Sequence, residues 1–331
     1  MSVIVSIIIP VRNEEKYIKQ CLDSVLNQDF PKEDIEIILV DGMSTDRTRE
    51  ILQDYINKFD FIKLLDNVNK TVPYAMNLGI EHSTGKYIIR LDAHSYFPPD
   101  YIRKCVELLD TIDADVVGGL AVTAGRTKIG KVIAKMLSSP FGVGNSRFRI
   151  FSKSGYVDTV PFGAFRREVF DKYGKYDTRL NRSEDYELNH RIRKNGGKIY
   201  LSNEIKFTYF CRDSIKGIMK QGYQNGKWIV RASKLIPGSM ALRHFIPLLF
   251  VLSLIVGLSI LFTNFTILKI LFSFELFAYA LLNIFFSLKQ SKFRITYFFW
   301  LLILHPLFHI SYGIGSIISV FNLFKKEESI K

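Results

Sequence analysis

Cysteine is scarce: Cys21, Cys105 and Cys211 are the only three in 331 residues, far apart and without a CxxC pair. That spacing argues against a disulfide framework or a zinc site and fits a reducing compartment. A GxGxxG fingerprint and a GxxxxGK[ST] loop are both missing, which weakens a dehydrogenase or an ATPase reading. No basic leader or small-residue cleavage site accompanies the opening apolar run, Val3 to Ile9. It therefore reads as a strand and not a signal peptide, and the first domain is expected in the cytoplasm. Acidic residues are in deficit, 32 against 45 basic, leaving a formal charge of +13 and a pI near 9.5. Such an excess favours an anionic partner: nucleic acid, anionic lipid or a phosphorylated substrate. The cations are not clustered with aromatics, so no nucleic-acid partner is expected.

Up to about residue 120, short β-rich apolar runs alternate with helical patterns. Strands are expected at 3–9, 35–40, 62–65 and 87–91, with helices at 14–26, 46–59 and 72–81 between them. Continuous apolar strands separated by helices predict a parallel sheet buried on both faces, an α/β architecture with its ligand groups in the loops after the strands. Those loops are chemically loaded. Pro10-Val11-Arg12-Asn13-Glu14-Glu15 follows the first strand, and Asp41-Gly42-Met43-Ser44-Thr45-Asp46 the second. Ser44 and Asp46 suit a helix N-cap. Asp41 precedes the cap, which favours a ligand role, such as accepting a hydrogen bond from the imide of a pyrimidine base.

In the fourth strand, the apolar run Tyr87-Ile88-Ile89 leads to Arg90-Leu91-Asp92-Ala93-His94. If the chain stays extended, Asp92 and His94 project the same way at the sheet edge. A carboxylate with an imidazole suits Mn²⁺ or Mg²⁺ held against a diphosphate. The competing reading has Asp92 cap the next helix, ahead of Pro98-Pro99, with His94 simply exposed.

Four ordered blocks carry a resemblance: Ser6 to Glu15 (SIIIPVRNEE), Val40 to Asp46 (VDGMSTD), Ala75 to Gly79 (AMNLG) and Arg90 to His94 (RLDAH). Together they resemble family 2 glycosyltransferases, inverting enzymes of the GT-A fold that use nucleotide-diphosphate sugars. Within that family the chain is similar to succinoglycan-type membrane-associated glucosyltransferases. The resemblance, over roughly residues 3 to 235, implies that Pro10, Arg12, Glu14 and Asp41 line the nucleotide pocket, with Asp41 facing the base. Asn77 and Arg90, inside the quoted blocks, join the donor-binding set. Asp92 and His94 become the metal site of DxD type, with His where the family has Asp.

Residues 111 to 160 hold a strand near Asp115–Gly119 and then a basic, glycine-bearing stretch. It includes Arg126, Lys128, Lys131, Lys135, Arg147 and Arg149, and reads as a solvated or membrane-facing loop or as a flap over the acceptor. Gly163 sits where the backbone must pass close to something, in a segment that borders the acceptor sugar in the resembling family. Ser183 can N-cap a helix whose first turn holds Glu184 and Asp185, acids that the helix dipole favours. An inverting transfer also needs a base separate from the metal site. Glu184-Asp185 matches the family's ED motif, which makes Asp185 the base and Glu184 an orienting group. Gln224, Lys227 and Trp228 resemble QxxRW with Lys for Arg, a change that forfeits the bidentate fork. This motif would serve the acceptor or the diphosphate, and an amphipathic helix lying on the bilayer, with Trp228 and Arg231 at the interface, explains the same residues.

From His244 to Leu288 the only charged side chains are Lys269 and Glu275, and Ile295 to Phe324 has none. Membrane helices are expected near 245–262, 266–287 and 295–322, the last as one kinked crossing or a shallow hairpin around Pro306. Lys289, Lys292 and Arg294 would lie inside. His305 and His309 share a helical face, as packing residues or as contacts for a lipid diphosphate. The organisation expected is a cytoplasmic GT-A domain over 1–235 and membrane-anchoring helices over 236–331 in the inner cell membrane. The activity implied is transfer from a nucleotide-diphosphate sugar, taken as a UDP-sugar, to a saccharide on a polyprenyl diphosphate in exopolysaccharide or cell-surface glycan synthesis. A polyprenyl monophosphate acceptor, a processive synthase and an inactive scaffold of the same fold stay open as alternatives.

Overall fold

The computed structural model describes residues 3–150 and 153–324. The chain divides into two compact units: 3–122 with 153–209, and 123–150 with 210–324. In the first unit lie β1 (Val5–Val11), α1 (Ile18–Leu26), β2 (Ile35–Asp41), α2 (Thr48–Ile56), β3 (Ile62–Asp66), α3 (Val72–Glu81), β4 (Tyr87–Arg90), β5 (Ser95–Tyr96) and α4 (Tyr101–Thr111). β6 (Val116–Ala124) leads out of this unit to α5 (Lys128–Leu137) and α6 (Pro140–Val143) of the second. The chain returns through β7 (Gly155–Tyr156), β8 (Ala164–Arg166), α7 (Glu168–Tyr173), α8 (Glu184–Lys194) and β9 (Ile199–Phe210). It finishes in the second unit with α9 (Ile215–Leu235), α10 (Ile246–Ile260), α11 (Thr266–Ser291) and α12 (Ile295–Phe324).

The sheet runs β3-β2-β1-β4-β8-β6-β9-β5, with β7 on β9. β3, β2, β1 and β4 are mutually parallel, whereas β8 is antiparallel to both β4 and β6. β1 and β2 are buried almost throughout because helices cover both faces, which is why their Val and Ile runs do not alternate with polar residues. The register pairs Val11 with Asp41 and Ile8 with Arg90, so the C-terminal ends of β1, β2 and β4 share one edge. α3 approaches β1 closely at Gly79, where a Cβ would lie 2.5 Å from Ile8 Cγ2. Beneath the sheet Glu36 is buried, and its carboxylate accepts from Ser6 Oγ (2.8 Å), Thr84 Oγ1 (2.8 Å) and Lys63 Nζ (2.9 Å).

In the second unit α5 is a capped amphipathic helix and not the loop expected of a basic stretch: Thr127 Oγ1 accepts from Gly130 N at 2.9 Å. Its apolar side (Val132, Ile133, Met136, Leu137) is buried, and both α5 and α6 pack on α11 and α12. α9 lies on α12 through glycines. A Cβ at Gly226 would sit 2.0 Å from the Tyr312 carbonyl oxygen, and one at Gly315 equally close to that of Tyr223.

Of the three expected membrane helices, α11 and α12 are long and apolar enough to cross a membrane. α10 spans 15 residues, about 22 Å at 1.5 Å per residue and short of a hydrocarbon core of about 30 Å. α12 continues through Pro306 as a single helix, so the hairpin alternative falls. His305 and His309 are packing groups. His305 Nδ1 lies 2.9 Å from Asn283 Oδ1, while His309 Nε2 donates to the Phe141 carbonyl (2.8 Å) and Nδ1 accepts from Tyr279 OH (3.0 Å).

Candidate active site

Asp41 ends β2 and is fully buried. Its Oδ1 accepts from Ser44 Oγ at 2.6 Å, and its Oδ2 receives Arg49 Nη1 at 3.1 Å, with Arg49 also paired to Asp66. Asp41 thus braces the loop into α2 from the sheet edge where a ligand group was expected. Asp46, as expected of a capping residue, accepts from Thr48 N at 3.0 Å. Pro10 pairs with Val40 in the sheet, and Arg12 is exposed, with its stem along Gly42. Glu14 anchors its own N–H on Thr48 Oγ1 (2.8 Å) and extends its carboxylate to His94 Nδ1 (3.1 Å).

β4 stops at Arg90 and the chain turns at Ala93–His94, so strand alternation does not set the directions of Asp92 and His94. Burial acts to lower the His94 pKa, but the Glu14 hydrogen bond, with Tyr209, Glu14 and Asp92 around the ring, outweighs it and holds the imidazole at about 9. With Nδ1 donating to Glu14, Nε2 is the nitrogen a metal could take, once it has lost its proton, and the Glu14 pair would then orient the ring. Among the described residues no three His, Cys, Asp or Glu side chains form a metal cage. The donor set still suits a cation bound largely by substrate: Mg²⁺ commonly takes one or two carboxylates, water and phosphate oxygens. Asp92, its side chain 18% exposed, fits that role.

Arg90 is the hub of the site. It is 7% exposed, with Nε 3.3 Å from Asp92 Oδ1, Nη1 3.1 Å from Glu184 Oε1, and its guanidinium 6.0 Å from the Tyr176 ring centroid. One cation therefore ties the acid after β4 to the acid opening α8. Burial raises the Glu184 and Asp185 carboxyls above their ordinary values, and Arg90 opposes the rise. Asp185 Oδ1 accepts from Tyr186 N at 2.9 Å. Ser183, expected as the N-cap, sits in the left-handed region at φ 66° and makes no capping bond. Asn77, expected to face the donor, instead spends both ends of its amide on the Tyr176 backbone (2.9 Å each), fixing the ring beside Arg90. The Gly163 carbonyl accepts from Arg90 N at 3.1 Å, and a Cβ there would meet Phe165 at 2.8 Å and Val116 at 2.9 Å; packing neighbours explain this glycine.

The structure thus brings Asp92, Glu184 and Asp185 together around Arg90, with Glu14 and His94 paired nearby and Asp41 on the same sheet edge. Gln224, Lys227 and Trp228 belong to α9 in the second unit, half-buried, with Arg231 5.2 Å from the Trp228 ring centroid. The bridging role of Arg90 was missed because its partner lies 94 positions away. No local pattern signals it.

A parallel sheet with its acids at the carboxyl edge, extended by antiparallel strands, is the GT-A class of glycosyltransferase fold. Residues 6–174 match the model of "Glycosyl transferase family 2", and the chain belongs to that family. It is 32% identical over 231 residues to a dolichyl N-acetyl-alpha-D-glucosaminyl phosphate 3-beta-D-2,3-diacetamido-2,3-dideoxy-beta-D-glucuronosyltransferase of Methanococcus voltae, covering 67% of this chain and 71% of the relative. It is 29% identical over 225 residues to the succinoglycan biosynthesis protein ExoA of Rhizobium meliloti, covering 67% and 68%. Among solved structures, a mannosyltransferase of Pyrobaculum calidifontis in complex with GDP-Man and Mn²⁺ superposes with a TM-score of 0.63 at 16% identity, over 99% of this chain and 89% of that one. The chain is a glycosyltransferase, and its relatives act in glycan synthesis.

Proposed function

We propose that the protein is a membrane-attached inverting glycosyltransferase that moves a sugar from a nucleotide-diphosphate donor, a UDP-sugar, to a hydroxyl of a lipid-linked saccharide at the cytoplasmic leaflet. The observation that supports it most is the buried Arg90 joining Asp92 to Glu184 beside Asp185. In this reading Asp185 takes the proton of the incoming hydroxyl as it attacks the anomeric carbon from the face opposite the diphosphate. Its raised affinity for protons, caused by burial, suits a base better than an ordinary exposed carboxylate. Glu184, held by Arg90, orients the hydroxyl or the base. Asp92 is the residue that would hold Mn²⁺ or Mg²⁺, with His94 joining through a deprotonated Nε2 while Glu14 holds its Nδ1. A bound divalent cation would supply charge neutralisation of the departing diphosphate.

Residues to about 235 form the catalytic part in this reading, and those from 236 anchor it in the inner membrane through more than one crossing. Attachment raises the effective concentration of a lipid-borne acceptor. The name of the Methanococcus relative places its acceptor sugar on a dolichyl phosphate, which favours a lipid monophosphate linkage as a second reading beside the diphosphate. The test is a panel of nucleotide sugars incubated with the detergent-purified full chain, with and without Mn²⁺, and lipid-linked saccharides of both linkages as acceptors. Transfer with inversion in one combination supports the proposal. Retention of anomeric configuration, or no transfer with any pair while donors still bind, refutes it.

A further inference from the structure

The helix that opens with Glu184 and Asp185 is not set in place by its own first turn. Ser183 stands at its N-cap with φ 66°, strained for a residue with a side chain, and makes no capping bond. The residues between α7 and α8, 174–183, are neither helix nor strand, and they are tethered from two sides. Arg191 of α8 reaches back to the carbonyls of Tyr173 and Lys175, the latter at 2.8 Å, and is itself gripped by Glu187 at 2.7 Å. From the other side comes Asn77 of α3, whose amide donates to the Tyr176 carbonyl and accepts from the Tyr176 N–H, both at 2.9 Å.

Asparagine is a poor helix former, so its place in the middle of α3 has a tertiary reason. A side-chain amide presents a fixed donor and a fixed acceptor together, which suits both polar groups of one backbone residue. α3 is itself seated tightly: two residues on, Gly79 lies so close to β1 that a Cβ would come 2.5 Å from Ile8. Asn77 therefore sets the position of Tyr176 relative to the sheet. The buried Tyr176 ring in turn bounds the Arg90 guanidinium at 6.0 Å, and Arg90 holds Glu184 at 3.1 Å. We propose that Asn77 is a positioning residue for the transfer step, holding Glu184 and Asp185 in place through Tyr176 and Arg90, so that it sets turnover and not donor affinity. The proposal rests on the reading of Asp185 as the base and adds the residue that places it.

Asn77→Asp keeps the side chain's volume and its acceptor but replaces the donor to the Tyr176 carbonyl with a second acceptor, which opens the clamp without a cavity. A reacting group displaced by about 1 Å can cost about a hundredfold in rate. With the full chain in detergent and the donor–acceptor pair that the panel above yields, kcat should fall by about that factor while donor KM stays within about threefold. Tyr176→Leu should lower kcat similarly, and the double variant should lose no more than about threefold beyond either, because both act through Arg90. The comparator is Gln28→Glu, which opens a similar clamp between the end of α1 and the start of α4. There Nε2 donates to the Pro98 carbonyl at 2.7 Å and Oε1 accepts from Ile102 N at 3.0 Å. It should lower the melting temperature comparably and leave kcat unchanged. A donor KM raised tenfold at wild-type kcat makes Asn77 a donor contact, and a kcat loss no larger than that of Gln28→Glu makes it a packing residue; either overturns the proposal. If Asn77→Asp does not fold, Asn77→Ser, which retains a hydroxyl donor, is read in the same way. A panel without transfer, or an active Asp185→Asn, defeats the reading beneath, and hydrogen exchange then tests the clamp alone. Faster exchange confined to 176–187 in Asn77→Asp supports it, and uniform or absent loosening overturns it.

Discussion

Replacing Arg90 with Met isolates the feature on which the candidate site depends. The guanidinium holds Asp92 at 3.3 Å and Glu184 at 3.1 Å from a position only 7% exposed. Breaking a buried ion pair by removing one partner typically costs about 3–5 kcal/mol, because the remaining charge is left without compensation. Here Glu184, with Asp185 beside it, loses the cation that opposes protonation, so the pKa values of that pair rise further above the ordinary range. The sign of the pH effect follows. Protonated acids do not need the arginine, so the penalty is smaller at pH 5 and larger at pH 8, where unpaired carboxylates must ionise or the chain must unfold. Thermal melting of wild type and variant in detergent at the two pH values measures this. Arg90→Lys, one point charge where a fork served two acids, should retain part of the stability and lose about 1.5–3 kcal/mol. Combining Arg90→Met with Glu184→Gln should recover stability but not transfer. An equal melting shift at pH 5 and pH 8, or full activity in Arg90→Met, would refute the account.

Asp185→Asn should abolish transfer while donor binding by calorimetry stays within a fewfold. In the wild type the acid limb of the rate profile should fall above the ordinary aspartate value of 3.8, since the base works only when deprotonated; a limb at or below that value counts against the assignment. Asp92→Ala should remove the Mn²⁺ dependence of donor affinity, and an unchanged dependence contradicts the ligand role. Burial would raise the Glu36 pKa, but the hydrogen bonds from Lys63, Thr84 and Ser6 outweigh it and hold it at about 2. That depression contributes stability present above its unfolded value near 4.5 and lost as pH falls toward 2, about 3 kcal/mol in all. Glu36→Gln should flatten that acid dependence in a melting series. Gly226→Ala forces a methyl toward the Tyr312 carbonyl, at an expected cost of about 1–3 kcal/mol, and a melting temperature equal to wild type would show that α9 and α12 can part freely.

The parallel half of the sheet was legible because each of its strands is a short apolar run followed by a polar loop, and the expected strand at 35–40 and helix at 72–81 match β2 and α3 closely. α5 was read as loop because lysines at 128, 131 and 135 mask the apolar periodicity of Val132, Ile133, Met136 and Leu137, although Thr127 already offered a cap. The acids were visible one at a time. Their junction was not, since Arg90 reaches Glu184 only after β4 and α8 have been placed in three dimensions. Asn77 shows the opposite failure: it stands within a block that resembles the family, yet its amide serves the backbone of Tyr176.

The interleaving of the two units sets a limit on how the enzyme can be trimmed. A stop codon placed near 235 would discard α10, α11 and α12 but leave α5, α6 and α9, whose oily sides α11 and α12 cover. Such a fragment would come out of the cell sticky and prone to clump. A well-behaved soluble catalytic piece calls for an earlier stop, near 210, and for a second cut that replaces 123–150 with a short polar bridge between β6 and the segment that leads to β7.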